Sequence, residues 1–183
     1  MKKLLTCLAL TTALVVPAAS AQVMVFGVGQ SKECYDAALN RTVRLEIGIA
    51  TCTQAINSET MTKNNRAATY VNRGVLRMRA GRYDLALSDY DRAQRLDPSK
   101  GALYLNAGAA HIYKQDYALA LPALDKAIEL ESQDLFAAYY NRGIAREYSG
   151  DVTGAYNDFK MSLELKPGWV QAEQQLSRFT VQQ

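Results

Sequence analysis

The sequence predicts an all-α protein built as a short stack of similar helical hairpins. Three observations carry this expectation. A motif recurs at near-constant spacing, as Asn72-Arg73-Gly74, Asn106-Ala107-Gly108 and Asn141-Arg142-Gly143, with glycine steps of 34 and 35 residues. Within each copy the apolar residues fall at helical spacing in two separate stripes. The composition is that of a folded globular chain: 183 residues, 49% hydrophobic, 21% charged, with 11 Gly and 4 Pro.

The N-terminal elements precede the repeat. Met1-Lys2-Lys3 is a short basic start, Leu4 to Val16 is an apolar run, and Ala19-Ser20-Ala21 is a small-residue cleavage pattern. Together they read as a secretory signal peptide over residues 1–21. The run is too short to span a bilayer comfortably, so no membrane insertion is expected once it is cut. Lys2 and Lys3 leave with it, so 19 basic residues face 18 acidic ones in the remainder. That near-neutral balance gives no reason to expect nucleic-acid binding. Thr6 directly before Cys7 is wrong for a lipoprotein acylation box. Residues 22–33 read as a flexible or extended arm, and its Gly27-Val28-Gly29 lacks the strand–turn–helix setting of a dinucleotide loop.

Two cysteines remain, Cys34 and Cys52. An exported chain meets an oxidising compartment, so the pair suggests a disulfide, stabilising by roughly 3 kcal/mol in the chain-entropy model. The rival metal or redox reading lacks an adjacent histidine. Cys34 to Asn40 and Ile47 to Ile56 look like a degenerate helical hairpin over residues 34–66, clamped by that bridge.

The repeat proper then begins. Twelve residues after each glycine stands an alanine (Ala86, Ala120, Ala155), and four further on a bulky apolar residue (Tyr90, Leu124, Phe159). Gly74 and Ala86 are small where antiparallel helices would have to approach closely. Gly81 and Gly150 read as left-handed residues closing the first helix of their copies. Gln115 stands at that place in the middle copy, at a cost of roughly 1 kcal/mol or with another turn shape. Pro98 and Pro167 stop the second helices. Beyond the last copy, Trp169, Val170, Ala172, Leu176 and Phe179 form an amphipathic stripe, read as a capping helix over residues 170–183.

This pattern resembles the tetratricopeptide repeat (TPR) family, a helix–turn–helix unit with a 34-residue period. The copies cover 67–100, 101–135 and 136–169. The resemblance implies a right-handed superhelical solenoid, in which each hairpin hides its apolar face only by stacking on its neighbours. Arginine and aspartate are present together or absent together: Arg73 with Asp89, Arg142 with Asp158, but Ala107 with Ala123. Across an antiparallel hairpin these positions oppose one another, which predicts a structural ion pair in the first and third copies.

No chemistry stands out. His111 is the only histidine and is expected to pack, so no metal site and no cofactor are expected. There is no nucleophile elbow, phosphate loop or zinc helix. Tyr70, Tyr104 and Tyr139 share one repeat position and Tyr83 and Tyr117 another, which reads as core rather than stacking platforms. The chain is therefore expected not to be an enzyme.

In this family the first helices line a concave face that holds an extended peptide or a partner helix. Here the resemblance places Ala68, Val71, Val75, Met78 and Arg79 on it, then Ala102, Leu105, Ala109, Ile112 and Tyr113, then Ala137, Tyr140, Ile144, Glu147 and Tyr148. The chiefly apolar face favours an amphipathic helix or apolar peptide. A carboxylate clamp is not expected, because Val71, Val75 and Ala137 stand where cations or an amide are wanted and only Asn106 fits. The rival occupant is the chain's own arm or C-terminal helix. The expected role is a periplasmic or secreted adaptor binding an unidentified protein or peptide. The alternative is an accessory subunit of a cell-envelope enzyme or of outer-membrane assembly.

Overall fold

The computed structural model describes residues 5–7, 21–25 and 29–181. Most of the expected signal peptide, Phe26, Gly27 and Val28 of the arm, and residues 182–183 lie outside the described residues. Among the described residues the chain forms nine helices, and one short two-stranded ladder pairs β1 (Leu5–Cys7) with β2 (Phe179–Val181) in antiparallel register.

The first hairpin is α1 (Gln30–Leu39) with α2 (Leu45–Ser58). The Cys34–Cys52 disulfide joins the two helices at a Cα separation of 4.7 Å, and both residues are fully buried. Ala37, Ala38, Ile49 and Leu76 close round it as a small core of their own. Helix α1 starts at Gln30, ahead of the expected boundary at 34. Gly29 breaks the arm with φ 111°. The Ser31 N–H and hydroxyl then donate to the Glu59 carboxylate at 2.8 and 3.1 Å, which pins the first turn to the end of α2.

Three further hairpins follow: α3 (Lys63–Arg79) with α4 (Tyr83–Leu96), α5 (Gly101–Tyr113) with α6 (Tyr117–Glu129), and α7 (Leu135–Tyr148) with α8 (Val152–Leu165). The Thr62 hydroxyl accepts from the Asn65 N–H at α3, and Asp151 accepts from the Gly154 N–H at α8. Each satisfies an otherwise orphaned helix-end donor. The turns between partner helices share one backbone shape. Gly81 and Gly150 have φ 71° and 88°, and Gln115 adopts φ 63° as well. The middle copy thus keeps the left-handed turn despite carrying a side chain there, at a cost of about 1 kcal/mol.

Within each hairpin the helices meet at one glycine. A β-carbon on Gly108 would sit 2.5 Å from Leu124 Cγ, and one on Gly143 would sit 2.8 Å from Phe159 Cε1; on Gly74 it would fall against the Tyr90 ring. Tyr90, Leu124 and Phe159 are correspondingly buried. Successive hairpins stack through α4 on α5 and α6 on α7, while α3, α5 and α7 lie side by side as the inner row. One continuous apolar core runs through all three hairpins.

The C-terminal cap is shorter than expected. Helix α9 spans Val170–Leu176, not 170–183. Trp169 precedes it and packs on Phe136 and Tyr140, with ring centroids 4.8 and 4.7 Å apart. The chain then turns extended so that Phe179 reaches the rings of Tyr156 and Phe159, 5.7 and 5.9 Å away.

Gly108→Ala is expected to destabilise the chain by about 1–3 kcal/mol through overpacking against Leu124. Combining it with Leu124→Val should cost less than the two single changes added together. Denaturant unfolding of the four proteins checks this; strict additivity would show that the contact does not control the hairpin.

Candidate functional site

The charged groups on the outer side are structural. Arg73 donates through Nε and Nη2 to both oxygens of Asp89, at 3.0 and 2.8 Å. Arg142 holds Asp158 in the same way at 2.9 and 2.8 Å. A second arginine completes each set: Arg77 Nη1 reaches Asp89 at 2.7 Å and Arg146 Nη1 reaches Asp158 at 2.9 Å. Asp89 is fully buried between its two cations. The carboxylates hold the Arg142 guanidinium above its usual range, whereas burial lowers that of Arg77. The remaining arginine nitrogens tie each hairpin to the one before it, Arg73 Nη1 to the Thr53 hydroxyl on α2 and Arg142 Nη1 to Asp125 on α6.

The second arginine recurs in step with the first. The position four residues after Arg73 and Arg142 holds Arg77 and Arg146, while the middle copy has His111 there. With Ala107 and Ala123 in place of the pair, the middle copy has an open cleft of about 570 Å³ on its outer side, reached by Leu87, Tyr104, His111 and Lys126. Pro122, inside α6, lies in the same wall. His111 Nδ1 is 3.9 Å from Asp116, beyond hydrogen-bond reach, and burial lowers its imidazole pKa.

The chain's own residues cover much of the inner row that is expected to line a concave face. Val71, Val75, Met78, Leu105, Ala109, Ile112, Tyr140 and Ile144 are all buried. Arg79 points its guanidinium at the carbonyls of Ala38 and Arg41, 3.3 Å from each. Tyr113 stacks on Tyr83 at 5.1 Å and Tyr148 on Tyr117 at 4.7 Å, so both belong to aromatic pairs that join adjacent hairpins. Glu147 pairs with Arg178 beyond α9, and Gln175 Nε2 donates to the Tyr140 hydroxyl at 3.4 Å. Tyr148, 50% exposed, is the most open of the fifteen residues expected to face a guest.

Ala21, the last residue of the expected leader, and Gln22–Val25 of the arm run over the same row. The Val23 N–H donates to Asn72 Oδ1 at 3.0 Å, and Asn72 Nδ2 donates back to the Val23 carbonyl at 2.9 Å. One hairpin on, Asn106 Nδ2 donates to the Ala21 carbonyl at 2.9 Å. Gln22 Nε2 reaches the Ala38 carbonyl at 3.5 Å. Asn72, Asn106 and Asn141 recur before each Arg/Ala-Gly, which is the sequence signal that they share one position. Among the described residues no group of three His, Cys, Asp or Glu could hold a metal ion, and no helix is long and apolar enough to cross a membrane.

Asp89→Ala leaves two arginines without their buried counter-charge and is expected to cost about 3–5 kcal/mol. Asp125→Ala removes only an exposed partner of Arg142 and should cost under about 1 kcal/mol. Equal losses in denaturant unfolding would contradict the assignment of the buried carboxylate as the organising charge.

Comparison with known proteins agrees with this architecture. Tetratricopeptide repeat models match residues 67–100 and 101–134. The mouse (Mus musculus) FK506-binding protein-like protein is 33% identical over 132 residues, 68% of this chain; the chain spans 38% of that relative's length. The second TPR domain of human RPAP3, solved with the HSP70 peptide SGPTIEEVD, is 30% identical with a TM-score of 0.59, covering 63% of this chain and 95% of that one. The first TPR of Spaghetti (RPAP3), bound to the HSP90 peptide SRMEEVD, is 27% identical with a TM-score of 0.58, over 61% and 89% of the two chains. The MamA crystal structure shares the fold at 19% identity and a TM-score of 0.67, over 82% of each chain. The hairpin packing, the conserved turn shape and these matches lead to one conclusion: the chain belongs to the tetratricopeptide repeat family, whose units are protein–protein interaction modules.

Proposed function

We propose that this chain is a non-catalytic adaptor that binds an extended segment of another protein along its concave face, in the periplasm or outside the cell. The observation that carries the reading is the use of equivalent asparagines on α3 and α5 to hold main-chain groups of an extended segment. A side-chain amide donates and accepts at once, so it can bond to an extended chain of almost any sequence. Main-chain bonds of this kind supply affinity, and the apolar wall between them selects side chains.

The peptides in the related structures, SGPTIEEVD and SRMEEVD, are acidic. The face here carries Val71, Val75 and Ala137 among its wall residues, which suits an apolar segment better. The disulfide between buried Cys34 and Cys52 supports an oxidising compartment, as does the leader pattern ending at Ala21. A cut after Ala21 would remove the residue that Asn106 holds and leave that amide open to a guest.

Two measurements test the reading. A photo-reactive analogue at Tyr148 or Tyr113 should crosslink the same partner in intact cells, while one at Met161, on α8, should not. Absence of any partner from both groove positions would overturn it. The N-terminus of the purified mature chain should be Gln22 by mass spectrometry; retention of Met1 would overturn the export assignment.

A further inference from the structure

The middle hairpin keeps the fittings for an arginine that its own sequence does not supply. In the first and third hairpins that arginine lies over a tyrosine ring one turn earlier on the same helix, Arg73 over Tyr70 at 5.4 Å and Arg142 over Tyr139 at 5.2 Å. The aspartate of the same hairpin holds it, Asp89 or Asp158. Its remaining nitrogen reaches the second helix of the preceding hairpin, where the Thr53 hydroxyl accepts from Arg73 and Asp125 accepts from Arg142 at 2.7 Å.

Two of these supports persist in the middle hairpin. Tyr104 stands at the position of Tyr70 and Tyr139, and Asp91 on α4 stands one repeat before Asp125. Ala107 replaces the arginine and Ala123 the aspartate. Tyr104 and Asp91 both line the outer cleft of about 570 Å³, a size within the range of about 300–1,000 Å³ of ligand-binding clefts. Among the described residues no cation lies over the Tyr104 ring. Asp91 pairs with Arg95 one turn along α4, in an exposed contact, and a carboxylate has lone pairs for a further donor. Lys126, in the same wall, is engaged by Glu129 at 2.6 Å. It stands at the position of Arg92, which shares the Tyr70 ring with Arg73, so the fold accommodates a second cation there.

We propose that this cleft is a second interaction site, separate from the concave face, and that it takes an arginine side chain of another polypeptide. The guest guanidinium lies over Tyr104 and donates to Asp91. Its methylene stem and flanking residues lie on Leu87, Leu119 and Pro122, which line the same cleft. A planar guanidinium stacks on an aromatic face and bonds to a carboxylate at once, which a lysine ammonium does less well. The chain's own Arg142 makes both contacts with one side chain. With Ala123 in place of the aspartate the guest meets a single carboxylate, so one anchored side chain binds with about millimolar strength.

The test uses the full chain and the probe peptide LARAL, capped at both ends, with a counterpart carrying citrulline in place of arginine. His111 lines the cleft and is the only histidine in the chain, so its imidazole NMR signals report occupancy. The arginine peptide should shift them saturably, and the citrulline peptide should bind at least about fivefold more weakly. Ala107→Arg combined with Ala123→Asp fills the cleft with the pair of the neighbouring hairpins and should abolish binding. Asp91→Asn alters one exposed group, reports even if the filled variant folds poorly, and should weaken binding at least about threefold. Free arginine should bind more weakly than the peptide, because it brings no flanking contacts; equal binding would overturn a polypeptide as the source. Equal binding of the citrulline peptide, unchanged binding to Asp91→Asn, or no saturable shift up to about ten millimolar peptide overturns the proposal.

Discussion

Everything in this fold depends on how closely two helices can approach within one hairpin. At Gly74, Gly108 and Gly143 the first helix carries no side chain, and the ring or branched end of Tyr90, Leu124 or Phe159 from the second helix occupies the space. That contact sets the distance within the hairpin and buries the largest side chain in it. The hairpin still leaves apolar faces uncovered on both sides, so the next one must stack on it. The disulfide-tied hairpin closes the series at one end, and Trp169, α9 and Phe179 close it at the other.

The buried charges add register to this packing. Asp89 and Asp158 each sit between two arginines, and the free nitrogens of Arg73 and Arg142 reach back to the preceding hairpin. One residue therefore fixes both the pairing inside a hairpin and the stacking between hairpins. The middle copy lacks the set. Apolar contacts hold it, and a cleft opens where Ala107 and Ala123 replace the ion pair. Burial keeps His111, at that cleft, toward its neutral form, so it does not replace the missing guanidinium.

The concave face has two kinds of residue with separate tasks. Its apolar side chains are buried by neighbouring helices and by the arm, and so contribute to stability as well as to any guest site. Asn72 and Asn106 are buried yet hydrogen-bond to groups outside the inner row, which packing alone does not require. In the proposed adaptor the amides would hold an extended main chain and the apolar wall would take its side chains.

The sequence by itself determined the helical hairpins, their number and order, and the residues that oppose one another across each hairpin. Those features follow from local periodicity and from spacings that repeat, and Arg73 with Asp89 was legible because both positions change together in the middle copy. Helix ends were less legible. Glu59 draws α1 back to Gln30, and Phe179 draws the chain out of helix after Leu176, and both act across distances that periodicity does not record. The role of Asn72 was hidden for the same reason, because a recurring asparagine gives no sign of what its amide holds. Only the tertiary structure decided that Ala21–Val25 lies over the inner row. A short extended segment has no period of its own, and its place is set by hydrogen bonds to Asn72 and Asn106, some 49 and 85 residues away along the chain.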